Sequence, residues 1–140
     1  MAFDTAAFAA AWTPRALAVL RIVTGYLFLL RGSAKLLGLP HVAAFDELRL
    51  MSLPGIAGIL ELVGGTLLVL GLFTRPTAFV LSGLMAFAYF IGHASKGHAL
   101  FPVLNGGDAA VLFCFVFLFI SVAGAGRWSV DAALTRTTSS

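Results

Sequence analysis

Residues 107–124 read GDAAVLFCFVFLFISVAG, and after Asp108 this stretch contains no charged side chain. About 20 mainly apolar residues are needed to cross the hydrocarbon core of a membrane. Its residues do not alternate between apolar and polar, as those of a membrane β-strand would. Because backbone amides in lipid must bond within their own segment, the stretch is predicted to be a transmembrane α-helix.

Three further stretches resemble it, which gives four predicted spans: residues 16–37, 55–73, 76–92 and 107–124. The whole chain agrees, since 60% of its 140 residues are hydrophobic and 11% are charged. A soluble domain carries about 25% charged residues. The expected fold is therefore all-α, an integral membrane bundle of four transmembrane helices. Glycines on the first two spans are predicted to be close-packing positions.

The predicted domain organisation has three parts: an N-terminal interfacial segment (residues 1–15), the transmembrane domain (16–131) and a polar C-terminal tail (132–140). Between the first two spans, Val42, Phe45 and Leu48 recur at helical spacing, which favours a short interfacial helix. Before the fourth span, Asn105 is followed three residues later by Asp108, which favours a helix N-cap.

Several classes of function find no support in the sequence. The pI is near 9.6, but the basic residues are scattered and form no stripe that could track phosphates, so no nucleic acid partner is expected. The single cysteine, Cys114, excludes an intrachain disulfide. His93 and His98 lie five positions apart, on different helix faces, so no metal is expected. The partner expected from the composition is the lipid bilayer that surrounds the helices.

The distribution of loop charges predicts the orientation. Four spans place both termini on one side of the membrane. That side would hold four basic residues, Arg15, Arg75, Arg127 and Arg136, against Arg49 and Lys96 in the other loops. Because cytoplasmic loops carry an excess of Lys and Arg, both termini are expected in the cytoplasm.

Charged residues also interrupt the spans. At 100° per residue, Arg21, Arg31 and Lys35 fall on one stripe of the first helix, which is expected to face the bundle interior. Arg31 and Glu61 lie at the same depth, about 9 Å from the outer ends of their helices. We therefore expect Glu61 to contact Arg31 or Lys35. Arg21 lies near the inner end, where its guanidinium is expected to snorkel to the headgroups.

The outer ends of the four spans bring several polar side chains together. The predicted polar site consists of Arg31, Lys35, Glu61, His93, Asn105 and Asp108. Simpler interpretations stay open for three of them. Glu61 and its cation could be only an ion pair that stabilises the bundle, Asp108 could be a helix cap, and His93 could be an interfacial histidine.

Motifs in sequence order resemble the DoxX family. They are residues 20–26 (LRIVTGY), 32–36 (GSAKL), 61–65 (ELVGG), 70–75 (LGLFTR), 105–108 (NGGD) and 124–131 (GAGRWSVD). The family more often has Glu where Asp108 stands. The resemblance implies a four-helix protein of the bacterial inner membrane. It also implies an association with thiosulfate:quinone oxidoreductase subunits, with quinone or catechol resistance, or with membrane redox complexes.

From the polar site and the resemblance we expect a small membrane subunit of a redox system that binds a quinone or similar amphiphile. Arg31 or Lys35 would polarise a ligand oxygen, and Glu61 with His93 would handle protons. One alternative is a non-enzymatic membrane scaffold for a partner oxidoreductase, and another is a small-solute or proton carrier. The oligomeric state is left open, a homo-oligomer included.

Overall fold

Six α-helices make up most of the chain from residue 4 to residue 137, the part that the computed structural model describes. They are α1 (Thr5–Leu37), α2 (Leu53–Leu70), α3 (Thr74–Ala88), α4 (Pro102–Asn105), α5 (Asp108–Ala123) and α6 (Val130–Thr137). After α3 the chain continues through a π-helical turn, Tyr89–His93, and a 3₁₀ turn, Ala94–Lys96. No strand occurs within residues 4–137, and the predicted all-α class is confirmed.

Three helical segments are long and apolar enough to cross a membrane: Thr5–Leu37, Leu53–Leu70 and Thr74–Lys96. The helix α5 is mainly apolar but has only 16 residues, which is about 24 Å at 1.5 Å per residue. Bilayers accommodate a short hydrophobic stretch by thinning locally. The four predicted spans thus correspond to three helices of spanning length and one shorter apolar helix.

Both ends of the chain are more helical than the sequence suggested. The helix α1 begins at Thr5, where the Asp4 carboxylate accepts 3.0 Å hydrogen bonds from the N–H groups of Ala6 and Ala7. The described part of the predicted N-terminal segment is therefore continuous with the first span, and its interfacial position stays a prediction. At the other end, α6 extends into the predicted polar tail. Residues 1–3 and 138–140 lie outside the described part.

The predicted short helix between the first two spans is present only as a 3₁₀ turn, Ala43–Phe45, and its interfacial position stays a prediction. Two contacts tie the segment to the bundle: the Phe45 ring lies 5.8 Å from Lys35 Nζ, and the carbonyls of Arg49 and Leu50 pack directly on Gly55.

The tightest helix packing joins α1 to α2, and it depends on glycine. A Cβ atom on Gly32 would lie 2.3 Å from the backbone nitrogen of Leu62, and one on Gly65 would lie 2.4 Å from that of Leu29. Neither distance is compatible with a side chain, so the two backbones are in direct contact. The predicted close-packing role of these glycines is confirmed, as small residues allow helices in lipid to approach closely.

The core lies where the α1–α2 pair meets the α3–α5 pair. Phe28 of α1 packs edge-to-face on Phe117 and Phe113 of α5, with ring centroids 4.6 and 5.0 Å apart. Other buried members are Leu68, Ala78, Leu81, Met85 and Ile120. The contacts within each pair are extensive, whereas α2 and α3 touch over a smaller area after the turn that joins them. This leaves space between α2 and α3 at the far end of the bundle.

Candidate functional site

A cavity of about 700 Å³ occupies that space. Its polar wall residues are Arg31, Lys35, Glu61 and His93, and most of the remaining wall is apolar, including Ile56, Leu60, Val80, Leu84, Phe87, Ile91 and Phe113. We call this space the Glu61 cavity. Its volume lies in the range of about 300–1,000 Å³ that is typical of small-molecule sites.

One side of the Glu61 cavity is formed by side chains that also face the lipid. Leu60 of α2 and Val80 and Phe87 of α3 line the cavity and are at the same time exposed on the bundle surface. An apolar molecule dissolved in the bilayer would meet this side first. The cavity is therefore positioned for lateral access from lipid between α2 and α3.

A buried ion pair lies in the cavity wall. Lys35 Nζ is 2.7 Å from Glu61 Oε2, and the two side chains are 10% and 2% exposed. Arg31 Nε is 3.8 Å from Glu61 Oε1, and its side chain is 51% exposed. The predicted contact between Glu61 and a cation of the first helix is confirmed, with Lys35 as the closer partner. The prediction that Arg31 faces the interior is confirmed only in part, because Arg31 lines the cavity but half of its side chain is exposed.

The Glu61 carboxylate is poorly supplied with hydrogen bonds. Lys35 Nζ forms an ion pair with Oε2 at 2.7 Å, and no second donor within residues 4–137 reaches this buried oxygen. The 3.8 Å from Arg31 to Oε1 is also beyond hydrogen-bond distance. A carboxylate offers about four lone-pair positions. Glu61 therefore retains capacity to accept a hydrogen bond beside its ion pair with Lys35.

His93 borders the same cavity, at the end of the π-helical turn. Its Nδ1 is 3.1 Å from the carbonyl oxygen of Asn105. Its ring is stacked on Tyr89, with centroids 6.5 Å apart, and the Tyr89 hydroxyl donates to the carbonyl of Ala99 at 2.7 Å. Single π-helical turns often occur at functional sites. Here the turn carries His93 into the cavity wall.

Asn105 and Asp108 do not belong to the cavity wall. The Asn105 side chain turns towards Tyr89 and accepts a 2.9 Å hydrogen bond from the N–H of Gly107. Asp108 is exposed as the first residue of α5. The predicted N-cap is wrong, because the cap residue is Gly107 and it makes no side-chain bond. Asp108 still suits its place, since an acid in the first turn is stabilised by the helix dipole. Within residues 4–137, no group of three His, Cys, Asp or Glu side chains is arranged to hold a metal.

Comparison of the sequence with known proteins assigns the chain to a family. The DoxX family model matches residues 16–94, which include α1 from Ala16, α2, α3 and all four polar residues of the cavity wall. The chain belongs to the DoxX family. A relative in Haemophilus influenzae, an uncharacterised protein, is 45% identical over 127 residues, covering 86% of this chain and 91% of the relative. No solved structure matches the chain.

At the opposite end of this DoxX-family bundle, Arg21 holds two distant segments together. Its guanidinium is fully buried and donates to carbonyl oxygens only. Nη1 donates to Leu68 and Val69 at 2.7 and 3.1 Å, Nε to Ala125 at 2.9 Å, and Nη2 to Trp128 at 2.8 Å and more weakly to Arg127 at 3.4 Å. The expectation that Arg21 snorkels to the headgroups is wrong. The last carbonyls of a helix lack donors within their own helix. At the end of α2, Arg21 supplies such donors to the carbonyls of Leu68 and Val69.

Asp131 completes this end of the bundle, and the sequence-based reasoning missed its role. Its carboxylate accepts 2.9 Å hydrogen bonds from the N–H groups of Phe73 and Thr74, so it caps α3 from the end of the chain. Burial acts to raise the pKa of Asp131, but the hydrogen bonds from Thr74 and Phe73 and the charge of Arg21 outweigh it and lower this pKa below its ordinary value. The GAGRWSVD motif supplies Asp131 and three of the carbonyls that Arg21 bonds, but its spacing does not identify their partners.

Proposed function

We propose that this DoxX-family protein binds a quinone or a similar amphiphile in the Glu61 cavity, as a small membrane subunit of a redox system. The observation that carries the proposal is the buried Lys35–Glu61 pair in the wall of an otherwise mainly apolar cavity. Ionisable groups inside a membrane are costly and usually serve a function. An amphiphile with a polar ring and an apolar tail matches both parts of this wall.

The residues of the cavity suggest how such a ligand would be held. The ring would lie among the apolar side chains of α2 and α3, and its tail would leave through the side that faces the lipid. Lys35 or Arg31 would polarise a ring oxygen, and Glu61 and His93 would accept or return protons. In this proposal the electrons come from a partner oxidoreductase, and the protein resides in a bacterial inner membrane.

Ligand binding can be tested on the purified protein in lipid nanodiscs with a decyl-substituted benzoquinone. A ligand that binds only the folded state at 100 times its Kd stabilises it by about 2.7 kcal/mol, so the thermal midpoint is expected to rise. Glu61→Gln and Lys35→Met should weaken this rise. Asp108→Asn is the matched control, because it changes a carboxylate at the same end of the bundle that does not line the cavity.

Two results would count against the proposal. The midpoint of the wild-type protein would not respond to quinone or quinol, or Glu61→Gln would respond as the wild type does. In either case the ion pair would serve the stability of the bundle, and the protein would be better explained as a membrane scaffold. Co-purification of a soluble oxidoreductase that is lost on deletion of residues 39–51 would then favour the scaffold function.

A further inference from the structure

We propose that the Glu61 cavity selects amphiphiles whose headgroup carries a negative charge, and that Arg31 is the group that binds this charge. This inference rests on the proposed function, since it names the charge of the ligand that the same cavity takes. It follows from the charges of the cavity wall and from the surroundings of the Arg31 side chain. An ionised hydroxyquinone has such a headgroup, and so does an anionic phospholipid.

The wall of the cavity carries a net positive charge. Its ionisable residues are Arg31, Lys35, Glu61 and His93. Lys35 lies 2.7 Å from the Glu61 carboxylate, and Arg31 lies 3.8 Å from it. One negative charge thus faces two positive charges, and the His93 ring is either neutral or positive, so it supplies no second anion. Because charges interact more strongly in a medium of low dielectric constant than in water, this mainly apolar cavity attracts an anion.

Arg31 is the cation that is free to bind a ligand. Lys35 makes the close ion pair and is 10% exposed, whereas the Arg31 side chain is 51% exposed and can be reached from the cavity. Its guanidinium has five N–H donors, and none of them forms a hydrogen bond with residues 4–137, since the contact with Glu61 is too long. Arg21 differs, because it donates five hydrogen bonds to carbonyl oxygens. A guanidinium binds two oxygens of one anion with its planar fork.

The start of α5 adds to the positive potential. Ala109 and Ala110, in the first turn of this helix, line the cavity. The cap residue Gly107 gives this turn no side-chain hydrogen bond, and the N-terminus of a helix is equivalent to about half a positive charge. Asp108 offsets part of this charge, but it is exposed and lies outside the cavity wall. Arg31 and the start of α5 thus both favour a negative charge in the cavity.

The test compares two ligands with one carbon skeleton. The first is an undecyl-substituted hydroxynaphthoquinone, at a pH at which its hydroxyl group is ionised, and the second is its methyl ether, which stays neutral. Affinities are measured by calorimetry on the wild-type protein in phosphatidylcholine nanodiscs and corrected for partitioning into empty nanodiscs. A hydrogen bond to a charged group corresponds to roughly a 10- to 100-fold change in affinity. The ionised ligand is expected to bind at least about tenfold more tightly than the ether.

Variants test whether Arg31 is responsible for this preference. Arg31→Met should remove it, and the variant should fold, because a half-exposed ion pair contributes little to stability. Arg31→Lys keeps the charge without the planar fork and should retain part of the preference. Lys96→Met is the matched control and should leave the preference unchanged, since it removes a positive charge at the same end of the bundle but outside the cavity wall.

Phosphatidylglycerol added to the nanodiscs distinguishes the two sources of the anion. Competition with the ionised ligand in the wild type, absent in Arg31→Met, would assign the site to a lipid headgroup, and an unchanged affinity would assign it to the diffusible ligand. Both results agree with the proposed selectivity. An ether that binds as tightly as the ionised ligand, or a preference that Arg31→Met leaves unchanged, would overturn this inference and leave the proposed function standing. Binding of neither ligand would overturn both.

Discussion

Lys35 Nζ lies 2.7 Å from Glu61 Oε2, with nine-tenths or more of each side chain buried. The two residues come from different helices, α1 and α2, and they meet where Gly58 lets the Lys35 side chain pass closely over α2. A buried charge is tolerated when it is paired, and it becomes costly when its partner is removed. The pair therefore makes the α1–α2 contact sensitive to the loss of either residue.

The first prediction compares the loss of one residue of the Lys35–Glu61 pair with the loss of both. Lys35→Met should destabilise the folded bundle by about 3–5 kcal/mol, because it leaves Glu61 buried without its close cation. The double variant Lys35→Met with Glu61→Met should lose less stability, because it leaves no buried charge without a partner. Arg31→Met is the control, since a pair that is half exposed contributes about 0–1 kcal/mol. Unfolding in mixed micelles measures all three, and equal losses in the single and double variants would contradict the prediction.

A second prediction concerns Arg21 and uses the most conservative change available. Lysine keeps the charge but has three donors on a single nitrogen, so Arg21→Lys cannot bond the carbonyls at the end of α2 and those after Gly124 together. Leaving buried acceptors unpaired costs about 1–3 kcal/mol each. We expect a loss on the order of 3 kcal/mol, measured as a lower thermal midpoint. Arg31→Lys, on an exposed side chain, should stay within about 0.5 kcal/mol of the wild type.

The third prediction is a pH dependence. Because the pKa of Asp131 is lowered in the folded protein, its contribution to stability is fully present above the unfolded value of about 3.9. It is lost as the pH falls through the lower folded value. The wild type should therefore be more stable than Asp131→Asn at pH 7, and the difference should shrink below about pH 4. Other carboxylates titrate in both proteins, so the difference isolates Asp131. A difference that is constant down to pH 3 would refute it.

A fourth prediction tests the backbone contact between α1 and α2. Gly32→Ala places a methyl group 2.3 Å from the Leu62 nitrogen, which only a shift of the helices can relieve. Overpacking of this kind costs typically about 1–3 kcal/mol. Gly83→Ala on α3 is the control, because its Cβ would meet nothing within 4 Å, and alanine in a helix gains about 0.5–1 kcal/mol over glycine. The two variants should change the thermal midpoint in opposite directions.

Much of the fold could be predicted because lipid leaves a chain few choices. Long apolar runs must be helices, and the residues that interrupt them must find partners. Depth and helical angle were enough to bring Glu61 to a cation of the first helix. They did not distinguish Lys35 from Arg31, because a turn of about 40° on α1 decides which side chain is buried. Which of the two side chains is buried depends on how closely the glycines let α2 approach α1, and the periodicity of the sequence does not indicate this distance.

The inner end was harder to predict for a different reason. Arg21 bonds backbone carbonyls as far as 107 positions away, and Asp131 caps a helix that begins 57 positions earlier. Any residue type can supply a carbonyl or an N–H, so these partners leave no trace in composition or spacing. The predicted cap of α5 was wrong for the opposite reason. The local spacing of Asn105 and Asp108 is typical of a helix cap, but the cap residue is Gly107.

The last prediction is the orientation of the bundle. The N–H of Arg127 donates to the carbonyl of Pro14 at 3.1 Å, and that of Asp131 donates to Gly71 at 2.9 Å. Both described ends of the chain and the α2–α3 turn therefore lie at one end of the bundle. This end carries more basic residues than the opposite loops, so it is expected in the cytoplasm.

Cysteines introduced one at a time test this orientation in a Cys114→Ser background. In intact spheroplasts an impermeant maleimide should label Lys96→Cys, and it should label Thr5→Cys and Thr137→Cys only after the membrane is permeabilised. Labelling of Thr5→Cys and Thr137→Cys with Lys96→Cys protected would mean that the bundle is inverted. Labelling of only one of the two terminal positions would mean an odd number of crossings. That result would remove α5 from the membrane, because it is the helix shorter than the spanning length.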